Sequence, residues 1–312
     1  MEESDYEAWD ALVASSSSGT FLHTRRFLSY HGDRFADRSL VLEDERGVWC
    51  GVFPAALDTA DAAVVVSHPG ISYGGLLHAG ELSGPDAVQA LRTVCRHYGG
   101  QGMRALRYKA VPWIYHRRPA QDDAYALFRA DAKLYRRDLS TAIDLGARGR
   151  LSERRRRGID KARKQGVEVV EGFAAASAFW DVLTENLAAR HDVKPVHTLE
   201  EMALLQSRFP NEIRLLVAKH AGLVVAGALL FETDRVSHAQ YIAATPKGRE
   251  LAALDAVFDV AIQRADTEGR RYFDFGISTE QGGKLLNEGL YAFKAGFGGS
   301  GVVHDFYEIA LR

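Results

Sequence analysis

The sequence predicts an α+β protein built of two modules, on three observations. Residues 213–219, 223–232 and 236–243 read as an antiparallel meander, with turns at His220-Ala221-Gly222 and Thr233-Asp234. Residues 175–190 place Phe179, Trp180, Leu183 and Leu187 at helical spacing, and 251–268 reads as a second long helix. The first half carries a similar mixture of short helices and strands, so two related α+β modules follow from element order alone, without a tight repeat. At 312 residues the chain is long enough for one large or two medium domains.

Taken in order, residues 9–14 read as a short helix, and Ser15-Ser16-Ser17-Ser18-Gly19-Thr20 as a loop. Phe27 and Leu28 fall on a second short helix. Residues 38–43 and 48–56 form a strand pair about Asp44-Glu45-Arg46-Gly47, and 62–67 is an apolar strand. His68-Pro69-Gly70-Ile71-Ser72-Tyr73-Gly74-Gly75 follows; three glycines and a proline in eight residues demand an unusual backbone path. A helix lies within 81–98, opened by Gly84-Pro85. Strands are expected at 103–109 and 132–144, with 115–120 as loop between them, and a boundary at Asp144-Leu145-Gly146. Beyond it come a basic helical stretch at 148–164, a strand at 167–170, helices at 175–190 and 198–209, and the meander. The helix at 251–268, a strand at 272–275, a loop over 276–289 with room for a short helix, and a strand at 302–310 complete the chain.

Composition narrows the class. Apolar residues make up 46% and charged residues 26%, as in soluble globular proteins, and a net charge of -2 points to no nucleic-acid or membrane partner for the molecule as a whole. A local patch is compatible with that average. The acidic start Met1-Glu2-Glu3-Ser4-Asp5 has no apolar signal region, and no run of eighteen apolar residues occurs, so neither a signal peptide nor a membrane span is expected. Cys50 and Cys95 fit no metal cluster or disulfide framework, and buried thiols in a reducing, cytoplasmic setting are expected. His220, His238 and His304 lack metal-ligand spacing, so no metal is expected. Neither cysteine has a motif that marks a nucleophile, and Ser278 has no nucleophile elbow.

Residues 237–299 hold the most informative order in the chain. A strand carrying Tyr241 meets the loop Pro246-Lys247-Gly248-Arg249-Glu250-Leu251 and a long helix. A second strand ends in Asp274-Phe275-Gly276 with Ser278 beyond it, and Tyr291-Ala292-Phe293-Lys294 follows between glycines. With Gly70-Ile71-Ser72-Tyr73-Gly74-Gly75 in the first half, the chain resembles the FemAB-like branch of the GNAT acyltransferase superfamily, which includes aminoacyl-tRNA-dependent peptidoglycan bridge enzymes. The resemblance implies two GNAT-like domains in tandem, 1–145 on the acceptor side and 146–312 on the donor side. Each is a mixed central sheet flanked by helices, with the C-terminal tail packing back on the first. It further implies transfer of an aminoacyl or acyl group to an amine, with aminoacyl-tRNA or acyl-CoA as co-substrate and no tightly bound cofactor. The acceptor is a small-molecule, peptide or cell-wall amine, and the protein a monomer or homodimer. Two features depart from the family. Residues 166–211 leave room for two ordinary helices rather than a coiled-coil arm, and the loop at Gly248 carries one glycine where the usual acetyl-CoA loop carries two.

Candidate site residues follow, each with a plainer alternative. The resemblance places Lys294 near the reacting carbonyl, where a fixed cation stabilises developing negative charge; otherwise it is a solvated strand lysine. Tyr241 offers a hydroxyl to the donor or the tetrahedral intermediate, or is a packed strand tyrosine. Asp274 orients the amine or accepts its proton, or caps the turn before Ser278. Lys247, Gly248 and Arg249, ahead of the long helix, suit a phosphate, or form a solvent-facing loop. Tyr73 and Gly74 lie in the loop that the resemblance sets near the acceptor, or are structural turn residues, and Ser278 and Phe293 are further acceptor-side candidates.

From residue 146 to 166 there are nine Lys/Arg against two acidic residues. Arg154, Arg157 and Lys161 share a face, with Lys164 nearby. That face suits the phosphates of tRNA or of a donor diphosphate, or is a solvated helix surface. The run has no aromatic residue, so base stacking is not expected. A protein that binds nucleic acid or a cell-wall precursor without catalysis is the alternative to an enzyme.

Overall fold

A computed structural model describes residues 5–191 and 195–311, and the chain divides into two compact units. The first takes the residues up to Leu139, Thr279–Leu285 and those from Val303 onward; the second is Ser140–Ser278 and Leu286–Val302. The sequence reading cuts once, at 145/146. The chain instead changes unit inside three of its strands, so the segments 279–285 and from 303 onward are built into the first unit.

The first unit opens with α1 (Asp5–Ser15), α2 (Arg25–Leu28) and the hairpin of β1 (Leu40–Glu43) with β2 (Trp49–Phe53). Then follow β3 (Ala56–Leu57), β4 (Val64–Val66), α3 (Pro85–Gly100), β5 (Ala105–Lys109), α4 (Asp122–Arg129) and β6 (Lys133–Asp144). β4 and β5 pair in parallel with α3 as the crossover, and Pro85 begins α3 where its missing N–H costs nothing. Val88, Leu91 and Val94 of α3 pack on Phe53, Leu106 and Tyr108. The 115–120 loop is followed by α4, which the sequence reading did not find: it buries only Ala126 and Leu127, too short a stripe for periodicity to reveal.

The second unit comprises α5 (Glu153–Lys164), β7 (Glu168–Glu171), α6 (Ala176–His191), α7 (Leu199–Arg208), β8 (Ile213–His220), β9 (Leu223–Glu232), β10 (Val236–Ala244), α8 (Pro246–Glu250), α9 (Ala253–Thr267) and β11 (Tyr272–Ile277). After it come β12 (Thr279–Glu280), β13 (Leu285–Leu286), α10 (Glu288–Ala295) and β14 (Ser300–Ala310). Strands run in the order β3-β4-β5-β14-β6 in the first unit and β6-β11-β10-β9-β8-β7 in the second. Each sheet is mixed and helix-flanked, as expected. In the second, β7 to β10 are antiparallel neighbours, and β10 and β11 are parallel across the α9 crossover.

Residue parity assigns the faces of this sheet. Ala226, Ala228 and Leu230 of β9 share a cluster with Val257, Phe258 and Ala261 of α9, and Phe273 and Phe275 of β11 join them. The alternate β9 position Gly227 lies against Phe179 of α6, where a Cβ would come within 2.7 Å of the ring. One face is therefore covered by α9 and the other by α6.

α5 is fastened to α9 by an interaction that charge counting does not reveal. Arg155, in the middle of the basic run, turns inward. Its guanidinium lies 2.8 Å from the buried Asp255 carboxylate and 4.5 Å from the centre of the Phe293 ring. Gly158 makes room, since a Cβ there would sit 2.4 Å from Asp255 Oδ1. Burial pushes Asp255 up to about 6 and holds Arg155 below its ordinary value, each charge offsetting part of the other's desolvation. Removing one partner leaves a buried charge without compensation. Arg155→Ala is therefore expected to destabilise the protein by about 3–5 kcal/mol in denaturant unfolding. Exposed Arg157→Ala is expected to change it by less than about 0.5 kcal/mol.

Candidate active site

The site forms where the parallel strands part. β10 and β11 pair at Val236↔Tyr272, Ser237↔Phe273 and His238↔Asp274, and no further, although β10 continues to Ala244 and β11 to Ile277. Two bulges frame this point. On the β9 side Gln240 is an extra residue, because Ala239 pairs with Leu230 and Tyr241 with Leu229. On the β6 side Asp274 pairs with Ala142 and Ile277 with Ser140, so β11 spends three residues where β6 spends two. Bulges increase twist and bend the strand that carries them. The carboxyl ends of the parallel pair are thus left without ladder bonds between them, the position at which open sheets with parallel strands take ligands.

The β10 bulge decides which side chains meet. Three residues apart on a regular strand, His238 and Tyr241 would point to opposite faces. The extra residue puts both on the α6 face, opposite Phe231 and Leu229 of β9. Asp274, register partner of His238, lies on that face too, while its neighbours Phe273 and Phe275 enter the α9 cluster.

Asp274 is fully buried. Its Oδ1 accepts the Gly276 N–H at 2.9 Å and the Ser140 hydroxyl, and its Oδ2 lies 3.0 Å from His238 Nδ1. Both oxygens are engaged inside the protein, so Asp274 reaches a ligand only through His238, which keeps 16% of its side chain exposed. Gly276 is held at φ 77°, where glycine is favoured, and a Cβ there would lie 3.4 Å from His238 Cε1.

Lys294 stands on α10, not on a strand. The Asn287 side chain caps this helix by accepting the Leu290 N–H at 3.0 Å. Phe293 faces the α9 cluster, 5.5 Å from Phe297 and 6.0 Å from Phe258, and contributes packing on that side. Lys294 Nζ donates to Gly276 O at 2.8 Å and Ile277 O at 2.7 Å. An ammonium has three donors, so one remains beyond these two bonds. Burial lowers Lys294 to about 8, and the charge of Asp274 limits the fall. Beside this contact Ser278 is buried, and its hydroxyl has no hydrogen-bond partner among the described residues.

Tyr241 lies 2.6 Å from His197 Nδ1 through its hydroxyl, which also accepts the His197 N–H at 3.2 Å; Trp180 of α6 meets its ring edge-on at 5.7 Å. Burial pushes its hydroxyl up to about 12, so it stays protonated at neutral pH.

The remaining candidates are placed as follows. Lys247, Gly248 and Arg249 form α8, a short helix where the sequence reading has a loop, and the long helix expected from 251 begins at Ala253. Lys247 pairs with Glu250 at 2.9 Å, and Arg249 donates to Ala244 O at 2.6 Å. Gly248 gives its N–H to the Thr245 hydroxyl and packs on β9, where a Cβ would sit 2.0 Å from Val225 O. At the start of α9 the expected and observed positions differ by two residues. There Ala252 is held at φ 56° with no side-chain cap on the first turn, leaving its amide groups without a side-chain partner. Positive φ at a non-glycine residue gives no sequence signal. Arg154, Arg157, Lys161 and Lys164 are exposed along α5. Tyr73 and Gly74 belong to the first unit: the Tyr73 ring lies tilted against Tyr115, centres 4.7 Å apart, and a Cβ at Gly74 would lie 2.0 Å from Ser67 O. Among the described residues no group of three or more His, Cys, Asp or Glu side chains converges on a metal position, and no helix is long and apolar enough to cross a membrane.

Comparison with known proteins agrees with this geometry. Residues 147–294 match the model of an acetyltransferase (GNAT) domain. The chain is similar in structure to FemX, with TM-score 0.67 and 14% identity, covering 98% of this chain and 96% of that one. It is similar to L-PGS from Bacillus licheniformis, with TM-score 0.63 and 12% identity over 98% and 92% of the two chains. A tandem GNAT protein from the clavulanic acid biosynthesis pathway follows at TM-score 0.51 and 11% identity, covering 89% and 86%. These likenesses show the fold, one shared with FemX and with a tandem GNAT protein. Comparison with the curated proteins finds no match.

Gly248→Ala is expected to destabilise the protein by about 1–3 kcal/mol, because the added methyl meets a strand carbonyl that cannot move aside. Lys247→Ala, whose ion pair is exposed, should leave the thermal midpoint within about 1 °C. Thermal unfolding of the two variants checks the contrast.

Proposed function

We propose that the protein, whose residues 147–294 match the model of an acetyltransferase (GNAT) domain, is an N-acyltransferase that moves an aminoacyl or acyl group from a phosphate-bearing donor to an amine. The observation that carries this reading is the parting of β10 and β11 with the Lys294 ammonium beside the gap. Unpaired strand edges offer backbone hydrogen bonds to an extended amide-containing ligand. A cation held in a largely dry site is worth most where a carbonyl oxygen gains charge in the transition state. Lys294 is held there by two strand-end carbonyls, with its third donor left for that oxygen. The protonated Tyr241 hydroxyl and the Ser278 hydroxyl are the neighbouring donors suited to the donor ester or the acceptor.

The donor's phosphates fit the start of α9. Amide groups without a side-chain cap lie there at the positive end of a fifteen-residue helix. Arg154, Arg157, Lys161 and Lys164 on α5 supply an exposed basic face suited to a longer polyanion. Acyl-CoA engages the first feature, and aminoacyl-tRNA engages both. The acceptor is an amine of a small molecule, a peptide or a cell-wall precursor. No metal and no tightly bound cofactor is invoked, and transfer is direct within a ternary complex.

Transfer from acetyl-CoA and from alanyl-tRNA to a panel of amines tests the reading. Lys294→Met is expected to lower kcat by about 10²–10³-fold, the usual cost of one charge-stabilising donor. Unchanged transfer in this variant removes Lys294 from the mechanism, and no transfer by the wild type from either donor favours a binding protein. Lys294 is a cation below about pH 8 and neutral above it, so the wild-type rate should fall as pH rises through that value. Lys294→Arg, which stays charged, should lose that fall. Arg157→Glu with Lys161→Glu is expected to weaken tRNA binding about tenfold or more and to flatten its salt dependence, leaving acetyl-CoA affinity little changed.

A further inference from the structure

Amine attack needs a proton acceptor, and none of Lys294, Tyr241 and Asp274 can serve directly. Lys294 and Tyr241 are protonated at neutral pH, and Asp274 is buried with both oxygens occupied. One titratable side chain joins this buried carboxylate to the partly exposed edge of the site, and the transfer reading leaves it without a role. We infer that His238 is the general base of this transfer, and that Asp274 and Ser140 are positioning residues that fix its tautomer and orientation.

The geometry is specific. Asp274 Oδ2 lies 3.0 Å from His238 Nδ1, while Oδ1 is held by the Gly276 N–H at 2.9 Å and by the Ser140 hydroxyl. A carboxylate only accepts, so the ring proton that faces it sits on His238 Nδ1, and Nε2 carries the lone pair. The carboxylate contact also stabilises the imidazolium that forms when Nε2 takes a proton, the division of labour of an Asp–His pair. His238 Cε1 lies over Gly276, whose carbonyl accepts from Lys294 Nζ at 2.8 Å. The base and the cation thus both lie against one glycine. Register places them so: His238 and Asp274 are the last paired residues before the strands part.

The inference rests on the transferase reading, and the step balances within it. The amine lone pair forms the C–N bond at the donor's acyl carbon, and the carbonyl oxygen becomes an oxyanion facing Lys294. The proton that an alkylammonium must lose to free that lone pair passes to His238 Nε2, a step that hydroxylamine, already neutral, does not need. The intermediate then collapses with cleavage of the C–S or C–O bond to the donor; the departing sulfur or oxygen takes the second N–H proton, and the imidazolium gives its proton to solvent. The products are an amide and a free thiol or hydroxyl.

The test uses His238→Asn, whose amide nitrogen overlies Nδ1 and keeps the bond to Asp274 while Nε2 is lost. Transfer is measured from acetyl-CoA and alanyl-tRNA to a primary alkylamine and to hydroxylamine, which is already neutral at pH 7. Transfer to the alkylamine is expected to fall by about 10²–10⁴-fold, and to hydroxylamine by about tenfold or less. Equal losses for the two acceptors overturn the base role, since a structural defect does not distinguish them. Nitrogen NMR of the wild type is expected to show His238 protonated at Nδ1, and Asp274→Asn to shift the proton toward Nε2. An Nε2-protonated ring in the wild type overturns the assignment even if transfer is observed. Failure of the wild type to transfer from either donor overturns the transferase reading and the base role with it, an outcome distinct from the other two.

Discussion

A carboxylate with no exposed surface has to be compensated where it lies, and Asp274 sets that requirement at the end of the parallel strand pair. Donors from three places in the second unit contribute to meeting it. The Gly276 N–H is turned inward by a left-handed residue, the Ser140 hydroxyl comes from β6, and the His238 ring comes from β10. The cost of a buried uncompensated charge locks these together and with them the registers of β6, β10 and β11. The turn at Gly276 then presents the carbonyls that seat Lys294.

The same constraint separates jobs that the sequence assigns to Asp274 alone. A carboxylate ready to take a proton from an amine would have to be open to it. Asp274 gives up that access and acts through an imidazole that retains some exposure. Lys294 shows a comparable compromise. Burial lowers its affinity for a proton, the Asp274 charge opposes that shift, and the result is a cation that is lost just above neutral pH. Buried groups balanced in this way are more responsive to pH than exposed ones, which is why the pH profile is informative here.

Away from the site, the basic run illustrates how a single charge pattern holds two functions. Arg155 and its neighbours look alike in sequence, yet Arg155 is committed to Asp255 and the Phe293 ring, while Arg154, Arg157, Lys161 and Lys164 face solvent. Helical periodicity sorts them, because Arg155, Ile159 and Ala162 fall on the stripe that packs inward. The signal for the buried pair was Gly158, a glycine in the middle of an otherwise strong helix, which only close approach by another group explains.

The sequence by itself determined the α+β class, the meander, the helices on either side of it and the segment that supplies Asp274, Ser278 and Lys294. These depend on local periodicity, turn chemistry and motif order, all of which are short-range. It also placed Tyr241 on its strand. Tertiary structure alone decided the rest. That His238 meets Asp274 depends on strands 36 residues apart pairing in one register. That Tyr241 shares their face depends on one extra residue at Gln240. That a short helix precedes the long one and is set off from it depends on Ala252 holding a left-handed backbone that no propensity favours. The return of residues 279–285 and of the C-terminal strand to the first unit is likewise a matter of long-range pairing. A bulge, a register and a buried charge each take their energy from partners far along the chain, and local sequence carries no record of them.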